Sequence, residues 1–314
     1  MVEMENSLRP LSFNEFIGQE KIKEKLRILV EASKKKGKIL DHILFSGPPG
    51  LGKTSMAHII ASELGKNIKV TSGPVLDKKG DLVGILSSLE EGDILFIDEI
   101  HRLNPSVEEA LYPAMEDFKV DIILGKGRGS RSIRLDIPKF TLIGATTKTG
   151  KLTSPLLSRF GIVLNFDFYD EVSLSKIVER TVKLNSFEIT EEASLEIAKR
   201  SRGTPRTANM IAKRVIDYAV VEGKKVISIE ITLKALEFFE IDENGLSNID
   251  KKYLEVLVKH FECKPVGINT ISSAISEDKK TIEEIIEPYL LRKGFIEKTP
   301  RGRIPTEKAV KIFR

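Results

Sequence analysis

Two groups of residues in this chain have the types and spacing to do chemistry. One is Gly47-Pro48-Pro49-Gly50-Leu51-Gly52-Lys53-Thr54; the other is the acid pair Asp98-Glu99. In a G-x-x-x-x-G-K-[ST] loop the glycines let backbone N–H groups curl around phosphate oxygens, and the positive end of the following helix adds to the attraction. Lys53 would reach the β- and γ-phosphates of a nucleotide, and the Thr54 hydroxyl would hold Mg²⁺. Asp98 would position the same ion, and Glu99 would polarise the attacking water. An Asp-Glu pair after a strand also serves as a plain helix cap with an acidic first turn. The loop upstream is what favours the chemical role.

These residues need elements to hold them. Ile43-Leu44-Phe45 reads as a buried strand and Met56 to Ala61 as the start of a helix, which gives the loop its required strand–loop–helix setting. Ile94-Leu95-Phe96-Ile97 is a short continuous apolar run, as expected of a strand covered on both faces in a parallel sheet. It delivers Asp98-Glu99 to the carboxyl end, where open α/β sheets bind ligands. Phe140 to Ala145 predicts another buried strand, ending at Thr146-Thr147, whose hydroxyls could meet a γ-phosphate or the lytic water. Ile162 to Phe168 predicts a last core strand, and Ser158-Arg159-Phe160-Gly161 just before it sets one arginine beside apolar anchors. Upstream, Leu8 to Glu20 is a Pro- and Gly-punctuated approach to a helix predicted over Lys21 to Lys35, with Ile22, Leu26, Leu29 and Val30 on one face. Ile68-Lys69-Val70 predicts a strand and Asp81 to Leu89 a helix. Asp121 to Ile137 reads as a hairpin. Its tip, Gly125-Lys126-Gly127-Arg128-Gly129-Ser130, is either a solvated turn or a probe toward a partner.

Helical periodicity runs from Glu171 to Phe239. Within it Gly203-Thr204-Pro205-Arg206 opens a helix with proline in the first turn, a favoured place. Arg206 at a helix start gains nothing from the dipole and calls for an anionic partner. From Asp250 to Arg314 the pattern is three helices, Tyr253–Phe261, Thr270–Ser276 and Thr281–Lys293, then a hairpin over Phe295–Ile304. That is a winged-helix pattern. The third helix carries Glu283, Glu284 and Glu287, which would repel phosphates in a groove, so the wing residues Lys298, Arg301 and Arg303 are the better contact to a DNA backbone. A winged helix used for protein contacts is the alternative.

At 314 residues the chain exceeds one typical domain. With 41% hydrophobic and 31% charged residues it has the composition of a soluble globular protein, not of a disordered or fibrous one. The single Cys263 excludes an internal disulfide framework or a cysteine zinc site and fits a reducing compartment. No apolar run approaches the ~20 residues of a membrane span, and the first residues are not a signal peptide, so the expectation is a cytoplasmic protein. The net charge of +4 arises after residue 249, where 14 Lys/Arg stand against 10 Asp/Glu. An anionic partner such as nucleic acid would bind there, although a solvated basic surface reads the same on charge alone.

The phosphate loop, Asp-Glu strand, Thr-ended strand, lone arginine and Gly-x-Pro-Arg helix start occur in the order of the AAA+ ATPases. Further segments sharpen the match: Thr71-Ser72-Gly73-Pro74, Asp98-Glu99-Ile100-His101-Arg102-Leu103, Leu111-Tyr112-Pro113-Ala114-Met115-Glu116-Asp117, Gly144-Ala145-Thr146-Thr147, Ser158 to Gly161 and Thr299-Pro300-Arg301-Gly302-Arg303. Together they resemble the RuvB family of bacterial Holliday-junction branch-migration motors, from about Leu8 to the wing.

The resemblance implies an α/β, parallel-sheet AAA+ domain over residues 1–168, an all-α lid over 169–241 and a C-terminal winged helix over 242–314. It implies ATP and Mg²⁺ as ligands. Leu8, Arg9, Ile17 and Gly18 would frame the adenine, with Tyr169 on its far side. Gly50, Gly52, Lys53, Thr54 and Ser55 would hold phosphates and metal, and Glu116, Asp117 and Phe118 would add nucleotide contacts. Thr147, or its neighbour Thr146, would be the first sensor and Arg206 the second. Arg159 would be an arginine finger acting on the neighbouring subunit's ATP. The implied partners are double-stranded DNA at Holliday junctions, RuvA gripped by hairpin 121–137, RuvC, and further copies of the chain in a hexameric ring. The hairpin tip is more basic and glycine-rich than the family pattern, and Pro305 just past the wing is unusual. A clamp-loader-like switch shares the nucleotide site but ends in a helical collar, and a DNA-binding regulator with a decayed site would lack the intact Lys53, Asp98, Glu99, Arg159 and Arg206 set.

Overall fold

The computed structural model describes residues 9–124 and 131–313. The chain forms two compact units, one reaching to Ser173 and including Thr204–Arg206, the other made of Leu174–Gly203 and Thr207–Arg314. Among the described residues no helix is long and apolar enough to cross a membrane.

The first unit is built on a parallel sheet of β1 (Ile43–Ser46), β2 (Ile68–Ser72), β3 (Ile94–Asp98), β6 (Thr141–Thr146) and β7 (Ile162–Asn165), in the order β2-β3-β6-β1-β7. Ile43, Leu44, Phe45 and the whole run Ile94–Ile97 are fully buried. Such continuous apolar runs are what a sheet covered on both faces requires. The covering helices are α1 (Glu20–Lys36), α2 (Lys53–Leu64), α3 (Lys79–Leu86), α4 (Pro105–Glu116) and the short α5 (Ser154–Leu157). Leu44, Leu95, Ile97 and Leu142 of the strands join Leu82, Val107, Leu111 and Phe160 in one core. Local signals set the helix ends. α1 and α2 stop at Gly37 and Gly65, both left-handed, and α4 starts where the Asn104 side chain accepts the Ser106 N–H ahead of Pro105 in the first turn.

Two expected boundaries shift. Asp81 lies inside α3, because its carboxylate accepts the Lys78 N–H at 2.9 Å and so closes the start of a helix that begins earlier. The strand expected to Phe168 stops at Asn165: β7 is an edge strand whose ladder with β1 ends at the pair Ser46–Asn165. Because β6 lies between β3 and β1, the ends carrying Asp98, Thr146 and the phosphate loop are adjacent.

A separate antiparallel hairpin, β4 (Lys119–Leu124) and β5 (Arg131–Asp136), leaves this unit. Asp121 faces Arg134 across it and pairs with it at 2.9 Å. Ile133 and Leu135 are exposed on β5. The basic tip, 125–130, lies outside the described residues.

The second unit contains most of α6 (Glu171–Leu184), then α7 (Glu191–Arg200), α8 (Pro205–Val221) from Thr207 onward, and α9 (Ile229–Phe238). Two parallel two-residue strands, β8 (Glu188–Ile189) and β9 (Val226–Ile227), join the loops between helices. They are too short to leave a period in the sequence. Next come α10 (Asn248–Glu255), which continues through a wide turn at Val256–His260, and α11 (Ile268–Ile275). A third helix runs Lys279–Thr281, Ile282–Ile286 and Glu287–Arg292, and the hairpin β10 (Ile296–Thr299) and β11 (Gly302–Pro305) follows. Three helices and a hairpin make a winged helix around Leu246, Tyr253, Leu257, Ile271, Ile286, Leu290 and Phe295. Pro305 is the last residue of its strand, where a missing N–H is tolerated. A closing helix, Glu307–Ile312, lies beyond the elements the sequence pattern suggests.

Candidate nucleotide and DNA sites

Leaving β1, the chain turns at Gly47 (φ 141°), where a Cβ would stand 2.5 Å from the Phe166 carbonyl oxygen. Gly50 (φ 80°) is backed by Arg206: a Cβ would come within 2.9 Å of that of Arg206, whose N–H donates to the Gly50 carbonyl at 3.3 Å. Gly52 (φ 93°) precedes α2 and offers no side-chain cap to its first N–H groups. A bare helix N-terminus behind a glycine cradle is the arrangement that receives phosphate oxygens.

Lys53 is buried, and its ammonium donates to the carbonyls of Gly47 at 2.8 Å and Pro48 at 2.7 Å. Burial lowers its pKa to about 8 against the upward pull of Asp98; Arg206 adds to the fall and Glu99 opposes it. Thr54 and Ser55 follow, half-buried, in the first turn of α2.

At the end of β3 the Asp98 carboxylate accepts the Glu99 N–H at 2.9 Å. Glu99 has left-handed backbone (φ 49°), and its carboxylate pairs with Arg102 at 2.9 Å. Thr146 is buried, with its hydroxyl 3.0 Å from His101 Nδ1 and accepting the Lys148 N–H at 3.0 Å. Burial pushes His101 below the usual imidazole range, opposed by Glu99. The next residue, Thr147, is half-buried. The Thr146–His101 pair carries no sequence signal beyond a polar residue ending one strand and another in the turn Ile100–Arg102 after its neighbour.

Gly18 (φ 79°) lies against Tyr169, since a Cβ there would be 2.4 Å from the ring. The buried Tyr169 hydroxyl donates to the Leu51 carbonyl at 3.1 Å, and burial raises its pKa. Arg9 reaches His58 on α2 at 3.3 Å, and Ile17 is half-buried beside Gly18. Arg9, Gly18 and Tyr169 therefore border the element that carries the phosphate loop; Leu8 lies outside the described residues.

Arg159 is elsewhere. Its guanidinium lies over the Tyr112 ring at 4.4 Å, donates to the Pro155 carbonyl at 2.6 Å and pairs with Glu116 at 3.0 Å. None of these is a phosphate-loop residue. Asp117 ends α4, and Phe118 packs edge-on against Phe140 and His42.

Among the described residues no three His, Cys, Asp or Glu side chains gather to hold a metal alone. Thr54 and Asp98 suit Mg²⁺, which takes one or two protein oxygens and shares the rest of its shell with phosphates and water.

Models of the Holliday junction DNA helicase RuvB P-loop domain, the RuvB AAA lid domain and the RuvB C-terminal winged helix domain match residues 8–166, 169–242 and 243–314. The chain belongs to the RuvB family. It is 55% identical to the Holliday junction branch migration complex subunit RuvB of Clostridium kluyveri over 311 residues, 99% of this chain and 89% of that one. It superposes on the Thermotoga maritima RuvB Holliday junction branch migration motor with a TM-score of 0.89 at 51% identity, covering 98% of both chains. A mutant of that motor gives 0.90 at 52% identity, again over 98% of both. The RuvB family is one of P-loop AAA+ ATPases, and membership brings nucleotide binding and ATPase activity with it.

In this RuvB-family chain the wing is tied down by charge. Glu287, one of the three acids that argue against the third helix as a groove contact, is fully buried; the clue to that is its place between Ile286 and Tyr289 on the buried face. Its carboxylate pairs with Arg303 at 2.7 Å and Lys298 at 2.6 Å and accepts the Tyr253 hydroxyl at 3.0 Å. Burial pushes Glu287 up, yet hydrogen bonds from Arg303 and Lys298 hold it below the usual carboxylate range. Two of the three wing cations are thus paired inside the domain, and Arg301 is exposed at the turn. Val266 and Arg303 exchange backbone hydrogen bonds of 3.0 and 2.8 Å, which fastens the wing to the segment before α11. Between Gly267–Thr270, at the start of α11, and the turn Thr299–Arg303 lies a cleft of about 400 Å³.

Proposed function

We propose that the chain is a cytoplasmic, ATP-driven DNA motor that assembles as a ring of six and drives branch migration of Holliday junctions together with RuvA, with RuvC as a further partner. The observation that carries the assembly is the place of Arg159, which pairs with Glu116 and Pro155 and with no residue of its own phosphate loop. A cation so placed serves a site on another subunit, so hydrolysis requires the ring. Charge that develops on the γ-phosphoryl oxygens is then stabilised by the neighbour's guanidinium.

In this reading Lys53 exchanges the carbonyls of Gly47 and Pro48 for β- and γ-phosphate oxygens. Glu99 leaves Arg102 and takes the proton of the attacking water. Thr146 is engaged with His101, which leaves Thr147 to sense the γ-phosphate, while Arg206, held by its backbone on Gly50, is the second sensor. Glu116, Asp117 and Phe118, on the Arg159 side of the domain, would meet the neighbour's nucleotide. Mg²⁺, held by Thr54 and Asp98, would neutralise phosphate charge. The division into residues 1–168, 169–241 and 242–314 follows the change from sheet to helices to winged helix. Arg301 is the primary backbone contact to DNA, with Lys298 and Arg303 shaping the wing around it. The exposed Ile133 and Leu135 support hairpin 121–137 as the RuvA grip.

The test is branch migration on a synthetic four-way junction with ATP, with and without RuvA, alongside a sliding-clamp loading assay. RuvA-dependent strand exchange is expected. Clamp loading without strand exchange would overturn the reading.

A further inference from the structure

We propose that Tyr112 is the positioning residue for Arg159: its ring is a platform that holds the guanidinium at the subunit edge, ready for a neighbour's triphosphate. This rests on the reading that Arg159 acts in trans.

The guanidinium sits 4.4 Å above the Tyr112 ring centroid, within the range in which a cation is attracted by a ring quadrupole. Of its three nitrogens, one donates to Pro155 and one pairs with Glu116, whereas Nε is buried and has no hydrogen-bond partner among the described residues. The polar contacts therefore do not fix the group by themselves. Glu116 is more than half exposed, so its pairing is weakened by water and is open to competition from an arriving phosphate. The ring face has no charge to compete with, and it can stay under the guanidinium as the counter-ion changes.

The platform is itself braced. The Tyr112 hydroxyl donates to Glu108, one turn back on α4, at 2.6 Å and lies 3.2 Å from the Thr153 hydroxyl. Thr153 caps α5 by accepting the Leu156 N–H at 3.3 Å, and α5 leads directly to Arg159. Helix α4 and the segment bearing Arg159 thus meet at this aromatic side chain, flanked by the Thr153–Glu108 and Arg159–Glu116 contacts. A finger on a long flexible stem loses less freedom on reaching a transition state when its end is already supported.

The experiment compares Tyr112→Leu, Tyr112→Met and Tyr112→Phe with Arg159→Ala and with the Tyr112→Leu/Arg159→Ala double variant. Steady-state ATPase, nucleotide affinity by fluorescent ADP and thermal midpoint are read for each. Tyr112→Leu and Tyr112→Met should lower kcat roughly tenfold with nucleotide affinity unchanged. Tyr112→Phe, which keeps the ring, should stay within about twofold of the parent. The double variant should be no slower than Arg159→Ala alone, as expected of residues acting as a unit. If its losses multiply, or if Tyr112→Phe falls as far as Tyr112→Leu, the platform is refuted. So is it if every folded non-aromatic variant keeps full kcat. If Arg159→Ala itself keeps full turnover, it is the trans-finger reading that fails.

Discussion

Arg303→Ala should unfold the winged helix more readily than it weakens a DNA contact. Arg303 is 15% exposed and bonded to Glu287, whose side chain is fully buried. Removing one partner of a buried pair costs about 3–5 kcal/mol, because the other charge is left without compensation. Here Lys298 remains on Glu287, but its side chain is 44% exposed and its pairing is screened, worth at most about 1 kcal/mol. The Tyr253 hydroxyl also remains. The net loss is therefore about 2–4 kcal/mol, and at about 4 °C per kcal/mol the transition of this unit should fall by roughly 10 °C. Differential scanning calorimetry of the full chain measures it. Replacing the pair with apolar side chains, Arg303→Met with Glu287→Leu, should recover most of the loss. Arg301→Ala should leave the midpoint unchanged and flatten the salt dependence of DNA binding by about one phosphate contact. An Arg303→Ala chain that melts with the parent while losing DNA affinity would refute this reasoning. Acid gives an independent view of the same cluster. Glu287 binds its proton less readily folded than unfolded, so its contribution is present above about pH 4.3 and is lost as pH falls below it.

Lys53, lowered to about 8 by burial, should regain its proton as phosphate oxygens arrive, so nucleotide binding at pH 8 should take up about half a proton. Calorimetry in two buffers of different ionisation enthalpy reads this, and an identical heat in both would count against it. Gly18→Ala would force a Cβ into the Tyr169 ring at a left-handed φ, and should cost about 1–3 kcal/mol of stability or an equivalent loss of nucleotide affinity. An unchanged ADP affinity and thermal midpoint would show that the two residues do not pack as described. Glu99→Gln should bind ATP normally and release phosphate at least a hundredfold more slowly, roughly the scale of general-base catalysis; turnover at the parent rate would remove Glu99 from that role.

Much of this was legible in the chain because the parts that bind phosphate are local. A short continuous apolar run such as Ile94–Ile97, closed by Asp-Glu and preceded by a phosphate loop, reads as a covered strand, and the residue that ends it sits at the carboxyl end of the sheet where ligands bind. The glycines of the phosphate loop announce backbone that other residues avoid. What periodicity could not supply are pairings between distant segments. Thr146 with His101, Gly18 with Tyr169, and Arg159 with Tyr112 are each set by how strands and helices stack. Nor did charge counting separate a free wing cation from a paired one: Arg301 and Arg303 look alike in sequence, and only the burial of Glu287 distinguishes them. The two-residue strands β8 and β9 fall below the length at which any alternation registers.

In the ring proposed above, each nucleotide site is completed by a neighbour's arginine. Its most direct measurement mixes two chains that are inactive alone: Arg159→Ala, with an intact pocket and no finger, and Glu99→Gln, with an intact finger and no base. The mixture should recover part of the parent ATPase rate in proportion to the interfaces that pair an intact pocket with an intact finger. A mixture as inactive as its components, although both chains enter one assembly, would contradict the claim.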